Sequence, residues 1–253
     1  MNRPKVTFEN HEAVYNFYRE YRPHPRTSAF LYGALGNVFR PKVTYGGDSQ
    51  EQIANIFDSG RTVILASNHL KAIDPCNIAA LVNREELLHP IAKNGSIPSK
   101  KSLFKYAGVR QAIDGLGAFP VYRDEDAKAE KNKNGGKSLP MRAILDEFID
   151  TAIARLDSGQ HMAMFAEGTR NKGDITKLQP LFSGLGKMVC GVSKVEQPAI
   201  IPMALHYGTG PHDATITPHV QIGEPHIELF SHRKEVMAWL APALQDCVDA
   251  STA

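Results

Sequence analysis

Short apolar runs alternate with amphipathic stretches along most of this 253-residue chain, and this alternation constrains the fold more than any other feature. Apolar and β-branched runs predict strands at residues 62–67, 89–93, 117–122, 161–165, 199–205 and 217–222. Helical spacing predicts helices at residues 74–82, 102–113, 139–156, 185–192 and 233–248. Strands that alternate with helices indicate a single-domain, layered α/β fold with a mostly parallel, twisted sheet flanked by helices. Working residues in such sheets collect on loops past the carboxyl ends of strands.

Two segments differ from this alternation. Residues 1–45 interleave aromatic residues with arginines and precede the main domain, residues 46–253. That mixture is typical of a helical element that docks on a membrane, but an ordinary helical pair packed on the core fits the imperfect apolar pattern equally. Residues 124–137 are strongly hydrophilic and predict a surface loop, either a lid or an insertion.

Composition narrows the function classes. The net charge is +2, which argues against a dedicated nucleic-acid binder. Three scattered cysteines without a CxxC pair indicate a reducing compartment and no zinc cluster. No stretch reaches the roughly 20 apolar residues that a spanning helix needs. We therefore expect no transmembrane helix and contact with a membrane from its surface.

His69 and Asp74 form the first polar cluster, directly after the predicted strand at 62–67. On a continuous helix a separation of five residues places side chains about 140° apart, so they could not touch. In a strand-to-helix turn they can meet, and the carboxylate would then fix the imidazole tautomer while the other ring nitrogen takes a proton from a hydroxyl. The same spacing also fits an aspartate that caps a helix beside a surface histidine.

The second cluster, residues 167–170, follows the predicted strand at 161–165. Gly168 permits a tight turn, Thr169 offers a hydroxyl and Arg170 offers a planar fork that matches phosphate. The alternative is a polar turn in which Arg170 pairs with Glu167. Two cations at predicted strand ends, Lys93 and Arg123, would add positive charge for a phosphate, although cations are also common at surface strand ends.

Four blocks occur in order over residues 62–205: NHLKAID, GAFPVYR, FAEGTR and AIIPMAL. Together they resemble the glycerolipid acyltransferase superfamily, which includes glycerol-3-phosphate and 1-acylglycerol-3-phosphate acyltransferases. The pattern of that family is NHxxxxD, a strand with a phenylalanine and a terminal arginine, FPEGTR, and a strand that contains a proline. Each block is weak alone, but the ordered set is specific.

The resemblance implies a role for each matching residue. His69 would be the general base, Asp74 its orienter and Asn68 a support of the catalytic turn. Pro202 would shape the acyl-donor side. The phosphate-binding region would comprise Arg123, Glu167, Gly168, Thr169 and Arg170.

Two departures from the family pattern stand out. Ala166 replaces the common proline, which should loosen the turn without removing a functional group. Many members have a Phe-Lys-x-Gly stretch, whereas Ser183 occupies the lysine position here. Lys177 or Lys187 could substitute for that lysine.

The resemblance implies transfer of a fatty acyl group from acyl-CoA or acyl carrier protein to a lysophosphatidic acid during phospholipid biosynthesis. The hydroxyl would attack the thioester directly, without an acyl-enzyme, a metal or an organic cofactor, and the chain lacks a GxSxG elbow. We expect a cytoplasmic protein on the inner face of the membrane. Three alternatives remain open: another acceptor such as glycerol 3-phosphate or another lysophospholipid, a non-catalytic lipid- or acyl-carrier-binding module, and a thioesterase.

Overall fold

The computed structural model describes residues 3–133, 140–193, 196–208 and 216–252. Within these ranges one sheet holds seven strands in the order β1-β7-β6-β2-β5-β3-β4. All neighbours are parallel except β6 and β7. The strands are β1 (Lys42–Tyr45), β2 (Val63–Ser67), β3 (Gly95–Lys100), β4 (Ala118–Val121), β5 (His161–Phe165), β6 (Ala199–His206) and β7 (His219–Ile222).

The five predicted helices occur, and further helices connect the remaining strands. The predicted helix at 102–113 is divided into a 3-10 turn, Lys101–Lys105, and α6. A second 3-10 turn is Glu86–Leu88. The α-helices are α1 (His11–Glu20), α2 (Pro25–Val38), α3 (Ser49–Asp58), α4 (Asp74–Arg84), α5 (His89–Asn94), α6 (Ala107–Gly115), α7 (Asp124–Lys133), α8 (Met141–Asp157), α9 (Gly184–Gly191) and α10 (Arg233–Thr252).

The sheet is buried on both faces, as a parallel sheet flanked by helices must be. Successive side chains of a strand point to opposite faces, and β2 illustrates the result. Ile64 and Ala66 pack with α1, α8, α9 and α10, whereas Val63 and Leu65 pack with α2, α3, α4 and α5. This arrangement confirms the predicted layered α/β fold.

The hydrogen-bonded pairing between β5 and β3 is short. β3 pairs with β5 at Gly95 and Ser96, and from Ile97 onward it pairs with β4. The Ile97 N–H donates to Gly117 of the β4 side, so the backbone of the next residue, Pro98, turns toward β5. Because proline has no N–H, the ladder to β5 cannot continue there. We call this unpaired stretch, between residues 163–165 of β5 and residues 97–100 of β3, the seam.

Two element predictions are wrong. Residues 89–93 form helix α5, not a strand, because Pro90 favours the first turn of a helix. The strand of this region is β3, which follows directly. The predicted loop at 124–137 contains helix α7, whose acidic first turn complements the helix dipole, and residues 134–137 lie outside the described ranges. The position of Pro120 on an edge strand is confirmed, since β4 ends the sheet.

The first helix is packed on the core, which favours the helical-pair interpretation for that part of residues 1–45. Tyr18 is fully buried and donates its hydroxyl proton to Asp114 over 2.7 Å. The buried Arg155 guanidinium donates to the carbonyl of Tyr18, and burial lowers the pKa of Arg155 to about 9. The segment also contributes β1, so it is not wholly helical. Among the described residues, no helix has the length and apolar character needed to cross a membrane.

Candidate active site

His69 and Asp74 meet in the turn that joins β2 to α4. The Nδ1 atom of His69 lies 2.9 Å from Oδ2 of Asp74, whose side chain is fully buried. The same oxygen accepts the backbone N–H groups of Leu70 at 2.6 Å and Lys71 at 2.8 Å. One carboxylate therefore stabilises the backbone of the turn and also orients the imidazole. Because Nδ1 faces the carboxylate, Nε2 is the nitrogen that can accept a substrate proton.

Phe165 fixes the plane of the histidine ring. Its ring stacks on that of His69 with 3.8 Å between centroids and 13° between planes. Phe165 is the last residue of β5, the strand that pairs with β2. The sequence analysis missed this role, although the side chain begins the FAEGTR block.

Asn68 joins the catalytic turn to the neighbouring strand β6. Its amide donates to the carbonyl of Leu205 at 3.0 Å and accepts the N–H of Leu205 at 2.8 Å. Both bonds are buried. The side chain therefore fixes the backbone directly before His69, as a support of the turn would.

Glu167 also contacts the catalytic turn rather than a neighbouring cation. One carboxylate oxygen accepts the backbone N–H of His69, and the other accepts that of Gln179, both at 2.8 Å. Burial raises the pKa of Glu167 above its ordinary value, and these two N–H groups oppose the shift. The predicted alternative, a pair between Glu167 and Arg170, does not form among the described residues: Glu167 is turned toward backbone donors and Arg170 is exposed.

The turn after β5 depends on Gly168 and Ala166. Gly168 has a φ of 68°, a left-handed conformation that favours glycine. The N–H of Ala166 donates to the carbonyl of Ser67 over 2.7 Å, a bond that the proline of the family pattern could not make. This bond to β2 opposes the loosening that we expect from alanine in place of proline, and that expectation stays a prediction.

A cavity of about 400 Å³ opens beside His69 at the carboxyl edge of the sheet. We call it the polar cavity for its charged rim, although much of its lining is apolar: Val121, Met141, Leu145, Phe148, Met164 and Phe182. Two cations line it: Arg123 follows β4, and Lys100 ends β3, with its ammonium 3.9 Å from Asp126. The other lining residues on which the chemistry depends are Ser99, Phe165, Glu167, Gly168 and Thr169. Asp124 and Glu125 lie at the same rim, so the lining is mixed in charge.

The model of the Acyltransferase family matches residues 47–206, more than half of the chain. This chain belongs to the acyltransferase family. The matched range contains the four sequence blocks, and the resemblance to the glycerolipid acyltransferases is confirmed. The protein is an acyltransferase enzyme with an acyl donor and a lipid acceptor as its general substrates. No curated protein matches the chain.

Several predicted site residues lie outside the polar cavity of the acyltransferase. Lys93 is exposed at the end of α5, directly before β3. It therefore lies at the opposite edge of the sheet from His69, and the prediction that it joins the site is wrong. Arg170 is exposed and does not line the cavity in the part of the chain described.

The predicted substitutes for the missing lysine are engaged elsewhere. Lys177 lies 3.7 Å from Asp174, and Lys187 lies 3.3 Å from Asp146. Neither lines the polar cavity as the structure describes it.

A second cavity of the acyltransferase, the apolar cavity, has a volume of about 260 Å³. It lies among α2, α4, α5 and α6 on the other face of the sheet. Ser99, beside the seam, lines both cavities. The main apolar lining of this second cavity comes from Tyr32, Leu35, Ala79, Val82, Ile91, Ile97, Leu103, Ile113 and Leu116. The sequence analysis did not identify the apolar cavity, because its lining comes from eight separate helices, strands and turns.

Pro202, the predicted shaper of the acyl-donor side, lies within β6. Its carbonyl accepts the N–H of Gly223 over 2.9 Å. Among the described residues it borders neither the polar cavity nor the apolar cavity. Its contacts therefore join β6 to the residue that follows β7.

Metal-ligating side chains converge elsewhere in the described part of the chain. His11 and Glu12 of α1 and Glu147 of α8 have ligand atoms within 4.8 Å of one another. The Nδ1 atom of His11 lies 2.7 Å from the carboxylate of Glu147. None of the three lines the polar cavity, so this group has no contact with the His69 site.

Proposed function

We propose that this acyltransferase moves a fatty acyl group from acyl-CoA or acyl carrier protein to the hydroxyl of a 1-acylglycerol 3-phosphate, a step of phospholipid biosynthesis. One observation carries the proposal: the His69–Asp74 pair opens onto a cavity with two cations, and Ser99, beside the seam, lines both this cavity and the apolar cavity. A phosphorylated lipid and a fatty thioester need these two environments side by side.

The mechanism follows from the position of the imidazole. Nε2 of His69 takes the proton of the acceptor hydroxyl, and the resulting alkoxide attacks the thioester carbonyl. The tetrahedral oxyanion then collapses, breaks the C–S bond and releases the thiolate, which receives the proton from the imidazolium. Asp74 holds the productive tautomer and stabilises the imidazolium. A thioester is already activated, so this route uses no metal and no organic cofactor.

Lys100, Arg123 and Thr169 are suited to the phosphate of the acceptor. Two cations and a hydroxyl in one cavity supply charge-assisted hydrogen bonds to phosphate oxygens. Glu167, in contrast, is suited to hold the catalytic turn, since a carboxylate would repel a phosphate and its oxygens already accept two backbone donors. This assignment transfers the phosphate role from Glu167, Lys93 and Arg170 to Lys100.

The apolar cavity is suited to the acyl chain of the donor. Its lining is predominantly hydrocarbon, and Ala72, Pro75 and Cys76 bring it next to the catalytic turn. A chain that enters this cavity through the seam would leave its thioester carbonyl on the His69 side of the sheet. Burial of each methylene contributes about 0.8 kcal/mol, so the cavity would favour long acyl chains over short ones.

A membrane surface is the proposed source of the lipid substrate, with the enzyme peripheral on the inner, cytoplasmic face. Large apolar side chains are exposed on three adjoining elements beside the apolar cavity: Phe30 of α2, Leu103 and Tyr106 around the 3-10 turn, and Val109 of α6. We call these four residues the apolar rim. Lys105 lies within it, and cations beside aromatic residues favour an anionic lipid interface.

A thiol-release assay tests the function. Purified protein is mixed with palmitoyl-CoA and one acceptor at a time: 1-acylglycerol 3-phosphate, glycerol 3-phosphate, a neutral lysophospholipid or buffer alone. We expect thiol release that depends on 1-acylglycerol 3-phosphate. His69→Ala should lower the rate by about 10³-fold because general-base catalysis of this kind contributes 10² to 10⁴.

Each alternative gives a different result in this assay. Release in buffer alone identifies a thioesterase, and release with another acceptor corrects the substrate. Binding of palmitoyl-CoA without release under any condition identifies a non-catalytic module. His232→Ala, at an exposed histidine that lines neither cavity in the described chain, is the matched control and should retain the parent rate.

A further inference from the structure

We propose that Tyr207 is a positioning residue of the catalytic pair, which it serves by donating a hydrogen bond to the carboxylate of Asp74. The inference rests on the proposed acyl transfer for its kinetic effect. Tyr207 directly follows β6 and lies one residue past the range that the family model matches. None of the four sequence blocks contains it.

Tyr207 bonds a different carboxylate oxygen of Asp74 from the one that the catalytic turn uses. Oδ2 of Asp74 accepts hydrogen bonds from Nδ1 of His69 and from two backbone N–H groups. Oδ1 accepts a hydrogen bond from the Tyr207 hydroxyl at 2.5 Å. The carboxylate is thus held at both oxygens. Loss of the hydroxyl would leave Oδ1 without this buried donor and would allow the carboxylate plane to turn.

Asn77 sets the direction of the tyrosine proton. Its Nδ2 donates to the Tyr207 oxygen at 3.0 Å and to the carbonyl of Ile216, also at 3.0 Å. Because an amide N–H can only donate, the phenol oxygen accepts from Asn77 and must direct its own proton to Asp74.

Lys71 strengthens the same donor. Its ammonium lies 4.2 Å from the centroid of the Tyr207 ring, and a cation over the ring draws electron density from the phenol. Burial, together with the charge of Asp74, raises the pKa of Tyr207 well above its ordinary value. The hydroxyl therefore remains protonated and remains a donor across the working pH range.

The direction of the kinetic effect follows from charge. The tyrosine hydroxyl stabilises the negative charge of Asp74, so its removal leaves a carboxylate that holds the imidazolium proton of His69 more strongly. The acidic limb of the pH–rate profile must then move to higher pH. The other groups that face this network are Lys71, Glu167 and the thiol of Cys76, and a substitution at Tyr207 leaves all three in place.

A matched pair of variants tests the proposal. Tyr207→Phe and Tyr18→Phe each remove one buried phenol hydroxyl that donates to a fully buried aspartate, at 2.5 Å and 2.7 Å respectively. We expect Tyr207→Phe to lower kcat about 10-fold with the acceptor KM unchanged, and to raise the acidic limb by roughly 0.5 pH unit. Tyr18→Phe, on α1, should keep kcat within about twofold and leave the limb unchanged, even where its melting temperature falls equally.

A measurement without substrate separates this inference from the proposed function. In histidine-labelled protein, the NMR titration of the His69 ring is identified by its loss in His69→Gln. Its midpoint should be higher in Tyr207→Phe than in the parent and equal to the parent in Tyr18→Phe. An unchanged midpoint in Tyr207→Phe overturns the proposal whatever the substrate proves to be. An equal loss of kcat in the two variants overturns it too, since a general loss of stability would then explain both.

Discussion

At the scale of single residues, three polar side chains near the catalytic turn each bond two backbone groups. Asp74, Glu167 and Asn68 all accept main-chain N–H groups, and each of these bonds fixes the backbone around His69. The spacing in a strand-to-helix turn permitted the contact between His69 and Asp74, and the family resemblance predicted it. The bonds of Glu167 could not be predicted, since its second donor, Gln179, lies twelve residues away on a loop without a regular pattern.

The lysine proposed for the phosphate could not be identified from the sequence, for a different reason. The apolar run before Lys93 suggested a strand end, but a proline at the start of that run favours a helix. The true strand, β3, contains a glycine and a proline, two residues that weaken the strand signal. The cation at the carboxyl end of the strand is consequently Lys100.

Two lysine variants test this assignment. Lys100→Met should raise the acceptor KM about 10-fold with little change in kcat, because one charge-assisted hydrogen bond to the phosphate is lost. Lys93→Met, an equal change at an exposed lysine on the opposite edge, should leave both constants unchanged. Steady-state kinetics with varied acceptor measure both. A raised KM for Lys93→Met and a parental value for Lys100→Met would reverse the assignment.

At the scale of elements, the central strands were the most predictable part of the molecule. Residues 63–67 and 199–205 are continuous apolar runs, and the structure buries both faces of the corresponding strands. The short edge strand β1 and the strand β3 were not predicted: β1 has only four residues, none of them buried, and β3 contains a glycine and a proline. The apolar cavity lies among helices whose packing depends on β3, and a sequence pattern could not reveal it.

A substitution in α4 tests the acyl-chain assignment of this cavity. Ala79 is buried and lines the apolar cavity, so Ala79→Leu should fill part of its volume. We expect kcat/KM for palmitoyl-CoA to fall about 10-fold relative to octanoyl-CoA, as a few methylenes at about 0.8 kcal/mol each are excluded.

The control for this variant is Ala243→Leu, an equal change on a partly exposed position of α10 that borders neither cavity in the described chain. It should retain the parental preference for chain length. An unchanged preference in Ala79→Leu, with the fold intact by circular dichroism, would place the acyl chain elsewhere.

At the scale of the whole molecule, the N-terminal helices have separate roles. α1 is packed through Tyr18 and Arg155, so deletion of the first 40 residues would remove part of the core and would not isolate membrane binding. α2 covers the apolar cavity with Tyr32 and Leu35 and exposes Phe30. Point variants in the apolar rim are therefore the appropriate test of docking.

Liposome flotation with vesicles of phosphatidylcholine and phosphatidylglycerol measures this docking. The double variant Phe30→Ser, Tyr106→Ser removes side chains that are 74% and 69% exposed, and it should lower the bound fraction at least fivefold because apolar burial drives interfacial binding. The double variant Ile227→Ser, Leu229→Ser changes two comparably exposed residues before α10 and should bind as the parent does. Equal binding of all three proteins would contradict the assigned face.

The seam has a consequence for the catalytic cycle. If the acyl chain of the donor lies through the seam beside Pro98, the acyl chain of the new ester still crosses the sheet after the thiolate departs. The product can leave only after this acyl chain has moved out of the apolar cavity and into the lipid. Turnover on the longest donors would then be limited by unthreading rather than by bond making, and a pre-steady-state burst of free thiol would reveal it.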